Sequence, residues 1–145
     1  MKNLALILFL PIQTFASFNG AYSGPGQSIK HPQEKVRKCS EVFLRIKQDA
    51  QSFRVIEGGY KCEDLQAAYP DFTLEIKNGK LISDHIEVGN ISENEMNLYK
   101  SDKQEGYSFH LRLQKKSQQL IYQEDWTDNT HPALTIKGIL LPAIR

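Results

Sequence analysis

Tyr107-Ser108-Phe109-His110-Leu111-Arg112-Leu113-Gln114, then Lys115-Lys116-Ser117-Gln118, then Gln119-Leu120-Ile121-Tyr122-Gln123-Glu124-Asp125-Trp126, is the stretch that decides the fold. In its first run Tyr107, Phe109, Leu111 and Leu113 alternate with Ser108, His110, Arg112 and Gln114, a period of two that belongs to a strand with one buried face. One wet and one buried face is the habit of antiparallel sheets. The polar connection of Lys115 to Gln118 is too short for a crossover, so the two runs form a hairpin. Setting Leu113 opposite Leu120 places Leu111 opposite Tyr122, Phe109 opposite Glu124 and Tyr107 opposite Trp126, all on the inward face.

The same alternation recurs outward from this hairpin. Val42, Leu44 and Ile46 alternate with Phe43, Arg45 and Lys47, and Phe72, Leu74 and Ile76 with Thr73, Glu75 and Lys77. Read this way, the chain holds strands at 18 to 30, 39 to 48, 51 to 61, 71 to 77, 80 to 88, 94 to 100, 105 to 115, 118 to 126 and 133 to 142. One turn of helix is expected between Cys62 and Ala68, stopped by Tyr69-Pro70. Asp49-Ala50-Gln51-Ser52 and Lys77-Asn78-Gly79-Lys80 are further hairpin connections. A two-residue Asn-Gly loop turns Ser83 and His85 inward. A type I turn with a G1 bulge turns Ile82, Asp84 and Ile86 inward, buries more apolar surface and is the expected form.

The fold expected is all-β: a single antiparallel up-and-down meander of about eight or nine strands closed into a small barrel. Closure removes the exposed edges that a meander otherwise presents. A two-sheet β-sandwich is the alternative that the same pattern permits.

The cysteines support the first hairpin. With Ala50 and Gln51 as its loop, Ile46 faces Val55 on the buried side and Cys39 faces Cys62 on the other. A disulfide between Cys39 and Cys62 is therefore expected. The register also sets Lys47 beside Arg54, a like-charge pair.

Met1-Lys2-Asn3, the apolar run Leu4 to Ile12 and the small residue Ala16 have the layout of a signal peptide over residues 1 to 16. The apolar run is shorter than the roughly 20 residues that cross a bilayer, and no later segment is apolar enough, so no membrane span is expected after cleavage. The expected location is extracytoplasmic, secreted or periplasmic, where disulfides persist. Residues 17 to 145 then form a single barrel domain. The chain carries 18 Lys plus Arg against 17 Asp plus Glu, without a basic stripe, so nucleic acid is not an expected partner.

Glu124 is the inward residue that a stable core does not ask for. A buried, unpaired carboxylate is costly, so Glu124 belongs near the barrel end, against water and Tyr hydroxyls, or against a ligand. Tyr107, Phe109, Tyr122, Glu124 and Trp126 are the candidate ligand-binding residues, since polar-tipped aromatics with a few polar groups line pockets for mostly apolar molecules. No catalytic motif, cofactor motif or metal-ligand spacing occurs; His31, His85, His110 and His131 stand isolated. The expected function is to bind a small apolar or amphipathic ligand inside the barrel. The alternative is a protein-interaction or inhibitor module with a solid core, working through its loops or outer face.

Phe18-Asn19-Gly20-Ala21-Tyr22-Ser23-Gly24-Pro25-Gly26, opening such a meander, resembles the first strand of lipocalin-like (calycin-type) barrels, which begin with a Gly-x-Trp motif. Tyr22 stands at the tryptophan's position, and no helix follows the strand at 133 to 142. The resemblance implies a secreted carrier of a small apolar molecule. It also implies that Tyr22 closes the narrow end and lies outside the ligand site.

Overall fold

A computed structural model describes residues 18 to 143; the expected signal segment, residues 1 to 16, lies outside the described residues. The chain runs through eleven strands: β1 (Gly20–Lys30), β2 (Lys35–Gln48), β3 (Ser52–Cys62), β4 (Gln66–Ala68), β5 (Phe72–Lys77), β6 (Lys80–Ser83), β7 (Ile86–Ile91), β8 (Glu95–Asp102), β9 (Tyr107–Lys116), β10 (Gln119–Asp128) and β11 (His131–Pro142). No helix occurs among the described residues. All pairings are antiparallel, and β1 pairs with both β2 and β11, so the meander closes on itself. Ten strands form the barrel and β4 lies outside it, paired to β3 alone. This is a closed barrel, not a sandwich.

The turns after β2, β5, β7 and β9 mark one end, here the lower one, and those after β1, β8 and β10 the upper. The lower end is packed shut. Phe18 and Phe53 meet edge to face at 6.3 Å, and Leu81, Met96, Leu113, Leu120 and Leu140 have no exposed surface. Tyr22 is buried there too, its hydroxyl donating to the Asn19 carbonyl at 3.1 Å.

The first hairpin shows how a correct end-to-end register hides internal irregularity. Gln48 pairs with Phe53, Lys47 with Arg54 and Ile46 with Val55, then Arg45 pairs with Glu57, leaving Ile56 as an extra residue on β3. Between Glu41–Lys61 and Cys39–Cys62 a second bulge leaves Ser40 extra on β2. Each bulge inverts the in–out alternation of its own strand. The two cancel in register, so Cys39 and Cys62 meet and are disulfide-bonded. They lie inside, however, with 2% and 7% of their surfaces exposed, and not on the outer face that uninterrupted alternation requires. The like-charge pair resolves itself: Arg54 turns to Asp71, its Nε donating to Oδ1 at 2.9 Å, while Lys47 stays in solvent.

Four further expectations are corrected. The Asn-Gly connection is a two-residue turn, with Asn78 at φ 51° and Gly79 at φ 74°, so Ile76 faces Leu81 and no G1 bulge forms. The strand expected at 80 to 88 is broken by a second tight turn at Asp84 and His85, both at positive φ, which leaves His85 at its tip and Ile86 66% exposed. The helical turn expected at Cys62 to Ala68 is instead the strand β4, with Gly59 opposite Ala68 and Lys61 opposite Gln66. In the hairpin of β9 and β10, Tyr122 faces Leu113, Glu124 faces Leu111, Trp126 faces Phe109 and Asp128 faces Tyr107. That is a shift of two residues from the expected pairing. Because two is the pleat period, every inward residue stays inward.

The short β6–β7 hairpin shapes the upper end. β7 pairs with β8 only from Met96 to Leu98, so among the described residues Tyr99 to Asp102 are paired on the β9 side alone. The wall is therefore low between β3 and β8.

Candidate functional site at the open end of the barrel

Exposure along the inward face of β9 rises toward the upper end: Leu113 and Leu111 are buried, Phe109 and Tyr107 only half-buried. Along β10 the same holds, from Leu120, Tyr122 and Glu124, none with exposed surface, to half-buried Trp126. The Trp126 ring centroid lies 4.9 Å from that of Phe109 and 5.5 Å from that of Tyr107, both tilted. The expected Tyr107–Trp126 contact is thus present on the diagonal, with Phe109 as the direct cross-strand partner.

Beneath these rings lies Glu124. Its Oε1 accepts from the Trp126 indole Nε1 at 2.5 Å and from the Tyr60 hydroxyl at 3.3 Å, and its Oε2 accepts from the Tyr122 hydroxyl. Tyr122 in turn accepts from Tyr69, so the chain of donation runs Tyr69 to Tyr122 to Glu124. All five sequence-expected site residues lie on one inward face, with Tyr122 and Glu124 as its buried floor and Tyr107, Phe109 and Trp126 as its half-open wall. Among the described residues no buried side-chain polar atom lacks a partner.

Sequence reasoning passed over Tyr60, Tyr69 and Lys100. The Ile56 bulge brings Tyr60 inward, a change of face that alternation read from Phe53 and Val55 does not reveal. Tyr69 reaches the floor across Gly58, where a Cβ would come within 2.7 Å of the Tyr69 ring and 2.6 Å of Leu44. Lys100 was legible: Met96 and Leu98 are buried on β8, and the next residue on that face stands opposite Phe109.

Burial pushes the Glu124 carboxyl up from its ordinary 4.5 to about 7, against the opposing pull of the Trp126 and Tyr60 donors. Burial likewise raises the Tyr60 and Tyr122 hydroxyls, which stay neutral as donors. A carboxyl whose pKa is higher folded than unfolded stabilises the fold fully below pH 4.5, and that contribution is lost as pH rises through about 7. Unfolding free energy should therefore fall by about 3 kcal/mol from pH 4.5 to pH 8.5 on account of this group. Urea titrations across that range test it against Glu124→Gln, which should remove that part of the fall. An identical pH profile in the two proteins would refute the assignment.

Comparison with protein-family models and with curated proteins finds no match to this chain.

Proposed function

We propose that this protein is an extracytoplasmic, lipocalin-like carrier that holds a small apolar or amphipathic molecule at the upper mouth of the barrel. The observation that carries the reading is the half-open wall of Tyr107, Phe109 and Trp126 standing on a buried, hydrogen-bonded Glu124. Aromatic surface left to water is a cost that a core shaped only for stability avoids, and a ligand body relieves it. The filled lower barrel makes the site a mouth rather than a through-going cavity. The Cys39–Cys62 disulfide suits an oxidising compartment, in agreement with the signal segment read from the sequence.

Trp126 is the only tryptophan in the chain, so its emission reports on this place. Titration with fatty acids, retinoids, porphyrins and lipid-like probes should quench or shift that emission for at least one class. Calorimetry on the same ligand should show Trp126→Ala weakening binding by about tenfold, the scale of one lost aromatic contact. An unresponsive Trp126 across all classes would instead favour the interaction-module reading. Ile139 and Leu141, 53% and 52% exposed on the outer face of β11, support that second reading.

A further inference from the structure

Inward residues near the upper rim fall into two rows. Cross-strand pairing aligns Lys100, Phe109, Trp126 and Leu134 in the lower row and Asp102, Tyr107 and Asp128 in the upper. Glu124 lies just below Trp126. Along β8, β9 and β10 the ionisable groups of these rows, with Glu124 beneath them, are three carboxyls and one ammonium; the lower row continues beyond Leu134 through Lys30 to Lys35 on β2. The neighbouring Lys30, opposite Leu134 on β1, is already neutralised by Asp64 at 3.1 Å. Lys100 is exposed and, among the described residues, is in no ion pair and no stacking contact with the rings. Asp102 accepts from the amides of Gln104 and Glu105, which fixes its carboxylate at the rim.

We propose that the ligand held at this mouth carries a cationic head, an alkylammonium or quaternary ammonium group on an apolar body, seated against Tyr107, Phe109 and Trp126. The assignment rests on the carrier reading above and adds the ligand's charge to it. Two observations carry it. The Tyr107 and Phe109 rings, each tilted and within 5.5 Å of the Trp126 ring, offer with it electron-rich faces, which attract a cation more strongly as water is excluded. The carboxylates of Asp102 and Asp128 flank Tyr107 on both neighbouring strands, so the rim attracts the same sign of charge that the rings bind. An anionic head would meet both carboxylates at the rim and, on β8 to β10, only the exposed Lys100 in compensation.

The test uses one ten-carbon chain bearing a trimethylammonium, a hydroxyl or a carboxylate head, each kept below its micelle concentration and read by Trp126 emission and calorimetry. The trimethylammonium form should bind about tenfold tighter than the alcohol, the value of one partly desolvated cation–ring contact, with the carboxylate weakest. Raising the salt concentration should narrow the spread. Asp128→Asn should reduce the ammonium preference over the alcohol about threefold, and Lys100→Gln should enlarge it. Alcohol or carboxylate binding as tight as the ammonium overturns the cationic head and leaves the carrier reading standing. Binding of none of the three, in protein that also fails to respond to the wider panel, overturns both.

Discussion

Tyr122→Ala should destabilise the barrel by about 4 kcal/mol, the scale of deleting a fully buried aromatic ring. Tyr122 has no exposed surface and sits between Leu113 on β9 and Gly138 on β11. Loss of its hydroxyl also strips Glu124 of one of three donors and leaves Tyr69 without its acceptor. Tyr122→Phe separates the terms: it keeps the ring, loses the hydroxyl and should cost about 1–2 kcal/mol. Urea unfolding of the two variants beside the parent gives both numbers. A loss under 1 kcal/mol for the alanine variant would show that the ring does not fill the centre of the barrel.

Cys39→Ala combined with Cys62→Ala should lower stability by about 3 kcal/mol, the chain-entropy value for a cross-link closing a loop of this size. The two are 23 residues apart in sequence, and alanine suits their buried positions better than serine, whose hydroxyl would need a partner. Folded, unreduced protein should offer no thiol to an alkylating reagent, and denatured, reduced protein two. Equal unfolding midpoints for the parent and the double variant would show that the cross-link contributes nothing to the folded state.

Alternation and short turns made the barrel and its inward face legible, because both depend on side-chain period alone. Register was less so. Ser117 takes a φ of 55° in the turn between β9 and β10 without the glycine that marks such turns, so nothing in Lys115-Lys116-Ser117-Gln118 announced the shift of two. Bulges are harder still. Ser40 and Ile56 are ordinary strand residues, and their extra places follow from three-dimensional closure, which drew Tyr60 to Glu124 and turned the disulfide inward. Asp84-His85 adopts the same positive-φ turn as Asn78-Gly79 without its sequence mark, which is why one strand was read where two exist. The five candidate residues could be placed on one face from sequence; the hydrogen bonds that Tyr60 adds to Glu124 and Tyr69 to Tyr122 come from a distant part of the chain.

β1 is held on one side by β2, its neighbour in the chain, and on the other by β11, with Tyr22 opposite Pro142. That second seam joins segments at opposite ends of the sequence, so the entropy of closing it falls on almost the entire chain. Until β11 docks, β1 and β10 are open sheet edges, able to pair with any other unfinished chain nearby. Trp126 also lacks its partner Leu134 until then. Completion of the binding mouth and removal of the molecule's aggregation hazard are therefore a single late event in its folding.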